Sequence, residues 1–106
     1  MSRDDQLLQL ILPATQSTAL VDFLLARDEV PFFTVSEAAG FGQPHEQLSA
    51  TEQVEGAQRK VKLEVELPAD AVEPLLNDIQ TALPTLNIFY RALPILAQGA
   101  LGEEVL

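Results

Sequence analysis

Residues 61–67 read Val-Lys-Leu-Glu-Val-Glu-Leu, apolar at every odd position and charged at every even one. A period of two marks a strand with one buried face and one wet face. Pro68-Ala69-Asp70 follows, and the period changes at once. Val72, Leu75, Leu76, Ile79 and Leu83 then recur at i, i+3, i+4, i+7 and i+11, a single stripe on a helix. Asp70 is placed to cap that helix, with Glu73 three residues on. Pro74 is tolerated near a helix start, and Pro84 ends the run. A strand with one apolar side that leads into a helix with one apolar stripe must pack the two together. This unit constrains the chain to a layered fold of sheet and helix.

The remaining segments repeat the unit. Gln6–Leu12 is short, mostly apolar and stopped by Pro13, which reads as a strand. Thr15 and Ser17 are candidate N-caps. Leu20, Val21, Leu24 and Leu25 follow at helical spacing, so a helix is predicted from Ser17 to Asp28. Phe32–Ser36, after Pro31, is rich in aromatic and β-branched residues and reads as a second strand. Ile88–Leu93 makes a fourth strand before Pro94, and residues 95–106 form a tail with room for one more short strand. Phe32, Phe33 and Phe89 are expected in the core. For Tyr90 and Arg91, core packing and a surface charge are expected, with a role in a cleft as the other reading.

The order is therefore β-α-β-β-α-β. Right-handed crossovers place both helices on one face of a four-stranded antiparallel sheet, the ferredoxin-like α+β arrangement. One hundred and six residues are expected to form one domain, 1–106. The first strand has Leu8, Leu10 and Leu12 on one side and Leu7 and Ile11 on the other. The uncovered face of the sheet is thus partly apolar, and copies of the same chain are its simplest cover.

Residues 37–59, between the second and third strands, show neither period. They hold Gly40, Gly42, Pro44, His45 and Gly56. Ser49-Ala50-Thr51-Glu52 resembles a capping box, so a helical turn over 49–54 is expected within them. A long hydrophilic connection in so small a domain is usually functional or disordered. Arg59, Lys60 and Lys62 stand at its exit and make up half of the six cations in the chain. They are candidates to receive an anion, or to balance Glu55, Glu64 and Glu66. Lys62, Glu64 and Glu66 share a strand face and are expected to pair across the sheet. His45, the only histidine, stands beside Glu46. With carboxylates such as Glu37 and Glu52, or with copies about a threefold axis, the two are candidate ligands of a divalent metal. A solvated loop histidine is the plain alternative.

Composition removes other classes. Sixteen carboxylates oppose six cations, for a net charge of −10. Such a chain repels phosphate backbones, so no nucleic-acid partner is expected. The absence of cysteine excludes disulfides, thiolate metal sites and cysteine nucleophiles. The apolar run Leu7–Leu12 is too short and too acid-flanked for a signal peptide, and no segment is long enough to span a membrane. A cytoplasmic protein is the default. No HExxH motif, phosphate-binding Walker loop or Ser-His-Asp ordering stands out, so an enzyme is not expected.

Gly40-Phe41-Gly42 resembles the Gly-Phe-Gly that opens the long T-loop of the nitrogen-regulatory PII signalling proteins and their PII-like relatives. Lys60–Asp70 resembles the strand and proline-acid turn that leave that loop, and Gly102-Glu103-Glu104 resembles the family's C-terminal Thr-Gly-Glu. The resemblance implies a homotrimer with sheets turned inward, an effector in an intersubunit cleft, and a loop that docks on a target protein. It also implies that Gly40, Phe41 and Gly42 lie along the effector. Two departures matter. Leu83-Pro84-Thr85-Leu86-Asn87 stands where the family has a phosphate-cradling loop with Gly and Lys, and Ile95–Gly99 lacks the family's arginines. Tight ATP binding is therefore not expected. With these departures, the chain is similar to a proteobacterial PII-like family of unknown function. The association of that family with heavy-metal efflux implies a transporter as one target. It also implies, as the alternative function, a metal-binding accessory protein using His45 and Glu46.

Overall fold

Strand β1 (Asp5–Pro13) is an inner strand of a four-stranded antiparallel sheet. A short 3-10 turn (Ala14–Gln16) leads into helix α1 (Ser17–Leu25), followed by β2 (Phe33–Gly40), β3 (Gln58–Pro68), helix α2 (Ala69–Ala82) and β4 (Phe89–Pro94). The computed structural model describes residues 5–42 and 57–102. The strand order is β2-β3-β1-β4, the ferredoxin-like βαββαβ arrangement.

The alternation over 61–67 sets the core. Val61, Leu63, Val65 and Leu67 are buried, and β1 pairs with them so that Leu8, Leu10 and Leu12 face the same way. Leu20 and Leu24 of α1, and Val72, Leu75 and Ile79 of α2, close over this face. These residues are the centre of the stripes read from the helical spacing; Val21, Leu76 and Leu83 pack partly buried against them, while Leu25, at the end of α1, is 69% exposed. Beyond α1, Arg27 ties the following turn to α2. Its guanidinium bonds Asp78, lies 2.6 Å from Glu29 and sits 5.0 Å from the Phe23 ring centroid.

Several boundaries differ from expectation. Helix α1 ends at Leu25, where Ala26 takes the C-cap position, and does not reach Asp28. Ser17 is its first residue, and neither Thr15 nor Ser17 caps it. The Ser17 hydroxyl instead donates to the Ala14 carbonyl at 2.9 Å. Pro68, not Asp70, holds the N-cap position of α2, with no side-chain cap, while Asp70 lies in the first turn, where a carboxylate favours the helix dipole. The interstrand connection is shorter than expected. Glu37–Gly40 and Gln58–Lys60 belong to the sheet, because backbone pairing of β2 with β3 continues beyond Val35 and Val61, the last large apolar side chains of the two strands. The helical turn expected over 49–54 lies outside the described residues. No fifth strand forms among the described residues of the tail. The Ile95 N–H bonds the Asp5 carbonyl at 3.0 Å and the Gln98 amide reaches the Asp5 carboxylate at 3.1 Å.

Two aromatic assignments change. Phe33 packs against the core, but Phe32 precedes β2 and is 71% exposed. Phe89 is 55% exposed because its register with Ile11 puts it on the uncovered face of the sheet.

Candidate functional site

The two strands that flank the interstrand connection run on as a paired ribbon. Gly40 stands opposite Gln58, Ala39 opposite Arg59 and Ala38 opposite Lys60. Directly opposed residues share a face, and successive residues alternate. Lys60 and Lys62 therefore lie on the uncovered face, and Arg59 on the face that carries the helices. The sequence grouped these cations as one cluster, and the strand separates them.

At the root of the connection, Lys60 lies along Gly40. A Cβ at Gly40 would stand 3.3 Å from both Lys60 Cγ and Cε, closer than relaxed packing allows. The missing side chain lets the lysine stem rest flat on the ribbon. Beyond it Phe41 is 71% exposed, and Gly42 has φ +90°, a conformation open to glycine without strain. Gln58 completes the root. Its side-chain Oε1 is buried and has no hydrogen-bond donor among the described residues, and such a group costs free energy until a donor meets it. Nothing in the sequence distinguished Gln58 from its polar neighbours. Its part appears only with the register that sets it against Gly40. His45 and Glu46 lie outside the described residues. Among the described residues no group of His, Asp or Glu side chains could hold a metal ion.

The uncovered face has a distinct make-up. A polar row crosses its centre. The Gln9 amide donates to Glu64 Oε2 at 2.9 Å, Arg91 makes a long 3.5 Å contact to Gln9 Oε1, and Lys62 stands 3.8 Å from Glu64. Of the charged set read as pairing across the sheet, Glu64 reaches a neighbouring strand at Gln9, and Lys62 meets Glu64 along β3. Apolar pairs flank the row, Leu7 with Leu93 on one side and Ile11 with Phe89 on the other. The Arg91 guanidinium sits 5.1 Å from the Phe89 ring centroid. Among the described residues the charges of this face cancel, Lys60, Lys62 and Arg91 against Asp5, Glu64 and Glu66. The other described residues carry the negative excess, Arg27 and Arg59 against Asp22, Asp28, Glu29, Glu37, Asp70, Glu73 and Asp78.

The order of elements, the register and the glycine-flanked connection define a PII-like ferredoxin fold. The family model described as a protein of unknown function, DUF3240, matches residues 2–102, and the chain belongs to that family. Similar solved structures include a DUF3240 family protein from Shewanella baltica. It is 24% identical and superposes with a TM-score of 0.74 over 96% of this chain and 100% of that one. They also include CPII, a nitrogen regulatory PII-like protein from Thiomonas intermedia solved bound to ADP, AMP and bicarbonate. It is 19% identical, with a TM-score of 0.64 over 92% of this chain and 96% of that one. At these identities the likeness establishes the fold. No curated protein matches the sequence significantly.

Proposed function

We propose that this protein is a PII-like signalling and regulatory protein that contacts a target protein through the 37–60 segment. In this reading it works as a homo-oligomer, a trimer, with a small effector in the cleft between subunits. Gly40, Phe41 and Gly42 meet the effector, and Lys60 and Lys62 supply the positive charge beside it. Arg59, on the other face of the ribbon, meets the target. The chain carries out no catalysis and acts in the cytoplasm. No helix among the described residues is long and apolar enough to cross a membrane.

The observation that carries the reading is the root of the connection. An exposed ring, a lysine laid flat on a glycine and an orphan buried acceptor converge at one end of the sheet. An orphan acceptor and a held cation suit a ligand with both a donor and a negative group. The nucleotides and bicarbonate held by the CPII structure supply candidate effectors. The segment Leu83–Asn87 offers no cation to a polyphosphate, so AMP and bicarbonate suit this chain better than ATP. The alternative function, a metal accessory role for His45 and Glu46, gains no support from the described residues.

The test is calorimetry with AMP, ADP, ATP and bicarbonate, together with a sedimentation mass. A trimer that binds AMP or bicarbonate more tightly than ATP agrees with the proposal. A monomer that binds none of the four rejects it.

A further inference from the structure

We propose that the cleft between α2 and β4 is a binding site for a small, neutral, mostly apolar molecule. It lies on the helix-covered face of the sheet, opposite to Lys60 and Lys62, and does not depend on the regulatory reading. Core residues Leu10 and Ile79 form its floor and are 0% and 4% exposed. Leu83 and Leu86 form a wall, and Gln80 and Tyr90 stand at the mouth. Tyr90 was expected in the core, yet it is 54% exposed, because β4 is an edge strand and α2 stops short of covering it.

Three features make this more than a gap in packing. The wall is preformed. The Leu83 N–H bonds the Ile79 carbonyl at 2.8 Å, the Leu86 N–H bonds the Leu83 carbonyl at 3.3 Å, and the Asn87 N–H bonds Gln16 Oε1 at 2.8 Å. The connection from α2 to β4 is thus pinned at both ends, as ligand pockets usually are before binding. The cleft also has a definite size, about 220 Å³. That lies between a cavity of ~150 Å³, which takes benzene, and the ~300 Å³ at which ordinary ligand pockets begin. One ring with a small substituent, or a branched chain of similar bulk, fits. Finally, no lining residue is charged, although the chain carries a net charge of −10. An anion would find no counter-charge there, and a cation would lose its water for an apolar wall. The Gln80 amide and the Tyr90 hydroxyl can serve one hydroxyl, amide or ring N–H at the mouth. A neutral ring or branched alkyl group bearing one such function is the occupant the cleft selects.

Tyr90 is the only tyrosine and the chain has no tryptophan, so its fluorescence reports on the cleft alone. The experiment titrates the full-length protein with cyclohexanol, which is transparent, and with benzoate as a charged ring. It then maps amide chemical shifts with cyclohexanol and with indole. The expected result is a saturable change in tyrosine emission with cyclohexanol at a Kd of about 1 mM or below. Shifts confined to residues 76–88, 90 and 10 are expected with both neutral probes, with benzoate at least tenfold weaker. Leu86→Phe, which fills the cleft from a partly exposed position, should weaken cyclohexanol at least tenfold while circular dichroism stays unchanged. Shift mapping on the unaltered protein decides the matter if that variant does not fold. Non-saturable binding, equal binding of benzoate, or shifts centred on Leu7, Leu93 and Phe89 would overturn the proposal.

Discussion

The aliphatic stem of Lys60 lies across Gly40, on the strand opposite, so that a Cβ there would meet Lys60 Cγ and Cε at 3.3 Å. The atoms met are side-chain carbons of a flexible residue, and no left-handed φ is required at this glycine. Gly40→Ala should therefore leave stability within about 1 kcal/mol of the parent, since Ala in a strand offsets part of the strain. It should still lift Lys60 off the ribbon and lower effector affinity about tenfold, or ~1.4 kcal/mol. Thermal melts and calorimetry, run on the same preparation, check both halves. A drop in melting temperature with unchanged affinity would make Gly40 a structural residue only.

Self-association is expected to depend on the apolar pairs of the uncovered face. Leu93 is 39% exposed and lies beside Leu7. Leu93→Glu removes a contact of roughly 1.5–3 kcal/mol and sets a carboxylate among apolar neighbours. The association constant should fall by about a hundredfold or more, with secondary structure retained. Sedimentation velocity reads this directly, and an unchanged mass would place the subunit contact elsewhere.

Arg27 and Glu29 give the fold a modest acid sensitivity. A hydrogen bond from its own backbone N–H, and then the Arg27 side chain, hold the Glu29 carboxyl below its ordinary value of 4.5. Because the folded value is depressed, the contribution to stability is fully present above pH 4.5 and fades as pH falls through the folded value. The Glu29 side chain is 49% exposed and that of Arg27 26%, so solvent reaches the pair and added salt should shrink the effect. Denaturant melts of the parent and Glu29→Gln, taken at falling pH, should differ above pH 4.5 and converge below it. Curves that stay parallel throughout would show that the pair contributes nothing.

The alternation of β3 predicts opposite costs at neighbouring positions. Leu63 is fully buried between Leu10 and Val35, so Leu63→Ala should cost about 2–5 kcal/mol. Glu66, exposed on the other face, should change stability by about 0.5 kcal/mol or less when replaced by Ala. Equilibrium urea unfolding separates the two. Similar costs would mean that the register of β3 is wrong.

The parts of the fold legible in the sequence were those where one period runs unbroken. Val61–Leu67 and the stripe from Val72 to Ile79 gave strand, helix and buried face together. Where backbone pairing outlasts side-chain pattern, the sequence was silent. Glu37–Gly40 has no alternation to mark it, yet it continues the ladder to Gln58. Phe89 is exposed because hydrophobicity gives the wish to be buried and only register gives the side; Phe32 is exposed because β2 begins one residue later, at Phe33. The same holds at the loop root. Gly40, Phe41 and Gly42 were visible as a motif. The contact of Gly40 with Lys60, the orphan oxygen of Gln58 and the separation of Arg59 from Lys60 are cross-strand facts that no linear spacing encodes.

The charge balance of the uncovered face bears on how two molecules meet in solution. With Lys60, Lys62 and Arg91 cancelling Asp5, Glu64 and Glu66 there, copies approaching through the helix-covered side, which holds the described excess of carboxylates, do so under mutual repulsion. Encounter is thus filtered by orientation before any surface touches. Raising ionic strength weakens the filter, and collisions in wrong orientations become as frequent as the right one.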